Sequence, residues 1–261
     1  MPQSPSAESS IAIGTIVRSD SHVRYTCQIY GPGEVAEPPE PADYAFGSFV
    51  RVPLRLSPGR TDLDLLDGRS PLALPAADVA TGVPAHVPLA GRAGDASAQE
   101  CWAIGLIYDT ILLNPAFGSL GPRLSSDEQN AVFSPDYLAE RAVLVSILLL
   151  GTLAPLPGGA GIRAAHGVPP LAPDLGADVC TLPDAELRAF HHFADGGAPG
   201  GARPYLHMGY LPHAIAQEHP LLPVAMLRTI ARLERIFPEN RALLSIVKRN
   251  FAWRLSVQTA G

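Results

Sequence analysis

Three arginines are spaced to act as one surface. Arg228, Arg232 and Arg235 stand at i, i+4 and i+7, so any helix that contains them carries them on one side. Guanidinium groups gathered in this way can hold phosphate or an acidic protein surface. Arg241 and Lys248 share a face of the segment that follows. Residues 218–261 carry seven basic side chains (Arg228, Arg232, Arg235, Arg241, Lys248, Arg249, Arg254) and three acids (Glu218, Glu234, Glu239), a net +4. The remainder, with 12 basic and 22 acidic residues, is −10. These five residues (Arg228, Arg232, Arg235, Arg241 and Lys248) are the candidate contacts to a partner or to nucleic acid. The competing reading is a solvated helix face with no ligand at all.

Other residue types that could do chemistry lack the company they need. His191 and His192 are adjacent, and on a helix neighbouring side chains diverge by about 100°, so the pair cannot chelate one ion unaided. A structural role is expected for both. The carboxylate pairs Asp62/Asp64 and Asp127-Glu128 lie in segments of loop composition with no partnering motif. Gly158-Gly159-Ala160-Gly161 is not followed by the lysine of a phosphate-binding loop. Gly118-Ser119-Leu120-Gly121 lacks the glycine two residues before the serine that a nucleophile elbow requires. Cys27, Cys101 and Cys180 are odd in number and far apart, which supports neither a disulfide framework nor a zinc site. The expectation is therefore a protein that is not an enzyme, with no catalytic residues, no metal and no cofactor.

The composition is that of a folded chain. Of 261 residues, 47% are hydrophobic and 17% charged, enough for a large core. The 27 prolines and 24 glycines call for long irregular connections. A net charge of −6 argues against a strongly basic nucleic-acid binder. No secretory signal and no membrane span are expected: residues 1–10 are polar, and the longest apolar run, Ala142 to Leu150, is too short to cross a bilayer. A cytoplasmic location follows as an expectation.

Four segments are patterned as β-strands. Residues 11–19 place Ile11, Ile13, Thr15 and Val17 on one face, with Gly14 marking a bulge or a close backbone approach. Val23, Tyr25, Cys27 and Ile29 alternate within 22–30, and Val50, Val52 and Leu54 within 47–55. Residues 101–113 form the fourth. The stretch 57–100, rich in Pro, Gly and Ala, has no periodic element, apart from a short candidate strand at 85–89. Ser134-Pro135-Asp136 opens a helix that runs on through Leu138, Ala142, Val145 and Leu149; toward its end, where 143–150 is apolar on every side, a buried strand is the alternative. Thr181 to Asp184 resembles a capping box that opens a helix through Phe190. Two helices, about 221–237 and 239–257, close the chain, separated by Pro238, with apolar stripes Met226, Ile230, Leu233, Phe237 and Leu244, Val247, Phe251, Leu255. The fold class is α+β: a tail over 1–10, a small N-terminal antiparallel β-barrel over 11–115 with the 57–100 insertion, and a mainly α-helical region over 116–261.

The strand pattern resembles the HerA–ATP synthase barrel, the small barrel that precedes the motor of HerA-type DNA translocases and opens the subunits of rotary ATPases. The matching residues are Ile13-Gly14-Thr15-Ile16-Val17, Gly47-Ser48-Phe49-Val50-Arg51-Val52 and Ala103-Ile104-Gly105-Leu106-Ile107. In those proteins the barrel helps assemble the ring, and here no Walker lysine follows it. The resemblance implies an adaptor that docks on a HerA-type ATPase or its nuclease partner in DNA processing. Two further readings stand beside it. A stand-alone small-barrel nucleic-acid binder would need exposed aromatics among basic groups, with Tyr25, Tyr30, Tyr44, Phe46 and Phe49 as candidates. An unrecognised hydrolase would need a cleft with perturbed titratable groups.

Overall fold

In the computed structural model the described residues are 10–55, 101–113, 142–155, 162–193 and 205–258. Outside them lie the tail 1–9, the 57–100 insertion, the helix start at Ser134 to Asp136, the loop carboxylates, and the glycine motifs at 118–121 and 158–161.

Four strands form where alternation placed them: β1 (Ala12–Ser19), β2 (Arg24–Ile29), β3 (Phe49–Leu54) and β4 (Cys101–Leu113). Two more complete the wall. These are β5 (Ala142–Pro155) and β7 (Asp178–Thr181), while β6 (Ile162–His166) pairs only with the far half of β5. The antiparallel circuit runs β1–β2–β5–β4–β3–β7 and back to β1, a closed six-stranded barrel. Closure leaves no open edge on the circuit, which removes the usual hazard of strand addition.

This corrects two expectations. Residues 142–150 are strand, not helix: Val145 and every residue from Ile147 to Ala154 are buried, because β5 lines the closed barrel and also packs against the helix over Leu211–Ile215. A strand covered on both faces loses its period of two. The barrel is also not confined to 11–115, since β5 and β7 come from beyond residue 116. The α+β class stands.

Gly14 and the bulges around it shape β1. A Cβ on Gly14 would lie 2.0 Å from the Gln28 carbonyl oxygen, so the two backbones touch where only glycine fits. The register shifts between Ile16 and Arg18, which turns Ile16 into the core and leaves Val17 41% exposed. The single face expected for Ile11, Ile13, Thr15 and Val17 is therefore broken in mid-strand.

The helices are α1 (Asp184–His191), α2 (Leu211–Ile215), α3 (Leu222–Ile236) and α4 (Arg241–Gln258), with a 3-10 turn over Pro238–Asn240 ahead of α4. A two-stranded ribbon, β8 (His192–Phe193) with β9 (Tyr205–Leu206), links α1 to α2. The capping box does not form. Thr181 spends its hydroxyl as acceptor for the Ile11 N–H, and Pro183 caps α1 without a side-chain bond. The helix begins there nonetheless.

α3 is seated on the barrel through Gly47, whose φ of +84° suits glycine. The Thr229 hydroxyl reaches the Gly47 carbonyl at 3.0 Å, and Met226, Ile230 and Leu233 are buried beneath the helix. Leu244 and Phe251 bury the inner face of α4 against the same core. Among the described residues no helix is long and apolar enough to cross a membrane.

Candidate functional site

The three arginines of α3 do share one side of the helix, but they do not share one role. Arg228 and Arg235 are exposed. Arg232 is partly buried and structural: its Nε donates to Asp184 at 3.0 Å, and its Nη2 donates to the Leu182 carbonyl at 3.1 Å. It ties α3 to the start of α1. Beside it Arg188 donates to the Ile236 carbonyl and lies over the Phe237 ring, 5.1 Å from its centroid. Arg188, Arg232, Arg235 and Asp184 line a shallow cleft of about 280 Å³ between α1 and α3.

Of the α4 candidates, Lys248 pairs with Glu234 at 3.7 Å, and the Arg241 Nε reaches the Glu234 carbonyl at 3.4 Å. Both remain exposed at the surface. Arg249 is exposed as well. The outer side of α4 is apolar: Leu243, Ile246 and Trp253 are 45%, 58% and 67% exposed. Apolar side chains and exposed cations thus lie side by side on the surface of α4.

The histidines gather elsewhere. His191 is fully buried; its Nδ1–H donates to the Leu187 carbonyl, and its Nε2 accepts from the Tyr210 hydroxyl at 2.8 Å. His166, on β6, donates from Nε2 to the Phe190 carbonyl at 2.8 Å and accepts the Gly209 N–H at Nδ1. His207 stacks on His166 with centroids 4.6 Å apart. Burial pushes His166 down to about 4 and His191 down to about 3, and drives the Tyr210 phenol far up. Each group is thus held neutral. His192, turned away, packs on the Phe237 ring. Burial also raises the Cys27 thiol, and raises that of Cys101 to about 11, the reverse of what a nucleophile needs.

A family model described as Domain of unknown function (DUF8166) matches residues 1–59 and 93–260. The chain belongs to the DUF8166 family. No curated protein matches it. The unmatched 60–92 fall inside the Pro/Gly/Ala-rich stretch that composition sets apart as an insertion.

Among the described residues of this DUF8166 chain no group of three or more His, Cys, Asp or Glu side chains could hold a metal ion. A cleft of about 560 Å³ lies between α2, the start of α3 and Phe251 of α4, with Glu218 and His219 in its lining. The expectation from helical spacing covers only the inner stripe of α4 and misses the outer one. It was legible: Leu243, Ile246 and Trp253 follow a heptad pattern of their own.

The split among the arginines gives a stability prediction. Arg228→Glu with Arg235→Glu is expected to change stability by less than about 1 kcal/mol in total. Arg232→Glu is expected to cost about 1–2 kcal/mol, because it sets a carboxylate against Asp184 and leaves the Leu182 carbonyl unbonded. Urea midpoints of the two variants check this, and equal losses would remove the structural role of Arg232.

Proposed function

We propose that this protein is a non-catalytic adaptor that docks on a HerA-type ATPase or its nuclease partner during DNA processing, in the cytoplasm. The observation that carries the reading is the exposed apolar and cationic outer side of α4, set on a barrel whose strand motifs resemble those of HerA-type translocases. The titratable groups with large shifts support it, since burial holds them neutral as packing elements. The adaptor has no phosphate-binding loop and is expected neither to bind nor to hydrolyse ATP.

The nucleic-acid reading is the weaker one. Tyr25 and Phe49 are in the core at 2% and 1% exposure, Tyr44 and Phe46 pack against it, and the half-buried Tyr30 donates its hydroxyl to Asp178, so four of the five barrel aromatics that a stacking platform would need are spent on packing. The test is affinity purification of the tagged, full-length protein from its native cell, with nuclease treatment of the lysate. A HerA-type ATPase or its nuclease should be retained at stoichiometric yield. Retention of nucleic acid alone in an untreated lysate would favour the small-barrel binder, and measurable turnover by the clean protein would favour the hydrolase.

A further inference from the structure

α4 is apolar on two sides. Its inner stripe, Leu244 and Phe251 with Val247, is covered by the domain. Its outer stripe, Leu243, Ile246, Asn250 and Trp253, is exposed along its length. The two stripes are centred roughly 115° apart around the helix axis at about 100° per residue. A helix with apolar residues on both sides is one that a second element covers.

The spacing says what kind of element. Residues 243, 246, 250 and 253 step by three, four and three, the seam of a heptad, with a single Asn in place of an apolar knob. That seam spans about 80° of the helix surface, narrower than the face of roughly 100° or more by which a helix is buried on a broad surface, and Asn250 interrupts it. Both features fit helix-on-helix packing better than insertion into a bilayer. A nucleic-acid strand could stack a base on Trp253, but it has no use for the aliphatic Leu243 and Ile246 that make up the rest of the seam.

Charge selects the partner. The sequence of α4 holds Arg241, Lys248, Arg249 and Arg254 and not one acid. Exposed Arg249 borders the outer stripe, with Arg228 and Arg235 exposed on neighbouring α3. Packing α4 against a second α4 would bring two such helices together and repel. We propose that the outer face of α4 seats an acidic amphipathic helix of a partner protein, with apolar residues on Leu243, Ile246 and Trp253 and carboxylates beside Arg249. The inference deepens the adaptor reading and rests on it.

The full chain is titrated with a labelled peptide of about three heptads, with Leu at the seam, one Asn, and Glu at the flanking positions, read by fluorescence anisotropy. A matched peptide with Lys at the flanks is the control. The Glu peptide is expected to bind at least about tenfold more tightly than the Lys peptide, and Trp253→Ala or Ile246→Glu to weaken it by about tenfold or more. Both positions are exposed, so circular dichroism should be unchanged. Equal affinity for the two peptides, or insensitivity to both substitutions, would overturn the proposal. So would preferential binding to phosphatidylserine vesicles, or dimerisation in sedimentation that Trp253→Ala abolishes. If the peptide fails while the purification above still retains an ATPase, only this inference falls. If the peptide binds but no ATPase or nuclease is retained, the docking helix stands and the partner's identity falls.

Discussion

Gly14→Ala should cost the protein about 3 kcal/mol or more, a large share of the 5–15 kcal/mol that typically holds a domain together. The reason is space, not backbone conformation. A Cβ at residue 14 would sit 2.0 Å from the Gln28 carbonyl oxygen and 2.8 Å from the Cys27 sulfur. A sulfur can turn away, but a carbonyl in a ladder cannot. Gln28 is opposite Thr15 on one side and Leu144 of β5 on the other, so β2 is clamped from both flanks. β1 is held likewise between β2 and β7. Relief requires opening the barrel. Pairing Gly14→Ala with Cys27→Ala should therefore not rescue it. Gly31→Ala is the control, because its nearest neighbour would be the flexible Glu34 carboxylate at 3.4 Å. Urea denaturation of the three variants decides the matter. A Gly14→Ala midpoint within about 1 kcal/mol of the parent would mean that β1 and β2 slide freely, and the closed circuit would be in doubt.

What the sequence made visible divides along one physical line. Strands with one face on the core and one facing polar neighbours announce themselves. Val23, Tyr25, Cys27 and Ile29 are all buried, as their alternation required, and so are Val50, Val52 and Leu54. The close approach at Gly14 was legible from a lone glycine in a strand pattern. β5 was not, because burial on both faces erased its period, and the remaining cue, a long apolar run, suits a helix equally. β7 has four residues and is defined only by its pairing with β1 and β3, partners more than a hundred positions away.

The same line runs through the candidate surface. Spacing alone placed Arg228, Arg232 and Arg235 on one side of α3. It could not separate the tether from the two free cations, because Asp184 and Leu182 lie 48 and 50 positions from Arg232. Nor could it gather His166, His191, His207 and Tyr210, which arrive from β6, α1 and the approach to α2. One local cue existed for His191. With Leu187 and Phe190 it continues the buried side of α1, and a histidine on such a side is held neutral.

The buried histidines make stability strongly dependent on pH. Free in the unfolded chain, each takes a proton near 6.5. In the fold His166 waits until about 4 and His191 until about 3, chiefly because burial disfavours the charged ring. Below 6.5 the unfolded state therefore binds more protons than the native state, and stability falls as pH falls. The loss continues until the folded values are reached. Each histidine contributes up to about 1.4 kcal/mol per pH unit, so the two together can remove about 3 kcal/mol per unit between pH 6 and 4. Against a total of about 5–15 kcal/mol, unfolding near pH 4 is expected. Above 6.5 both groups are neutral in both states, and the stability curve should be flat with respect to them. His166→Gln isolates one contribution, since its amide can still donate to the Phe190 carbonyl without titrating. The slope of urea stability against pH over this window should drop by about one proton's worth, roughly 1.4 kcal/mol per unit. Tyr210→Phe should leave the slope and lower the whole curve by about 1–3 kcal/mol, because His191 Nε2 loses its donor in a site without solvent. A His166→Gln protein with the parent's slope would show that His166 is protonated in the fold, and the bond it accepts from the Gly209 N–H could not then exist.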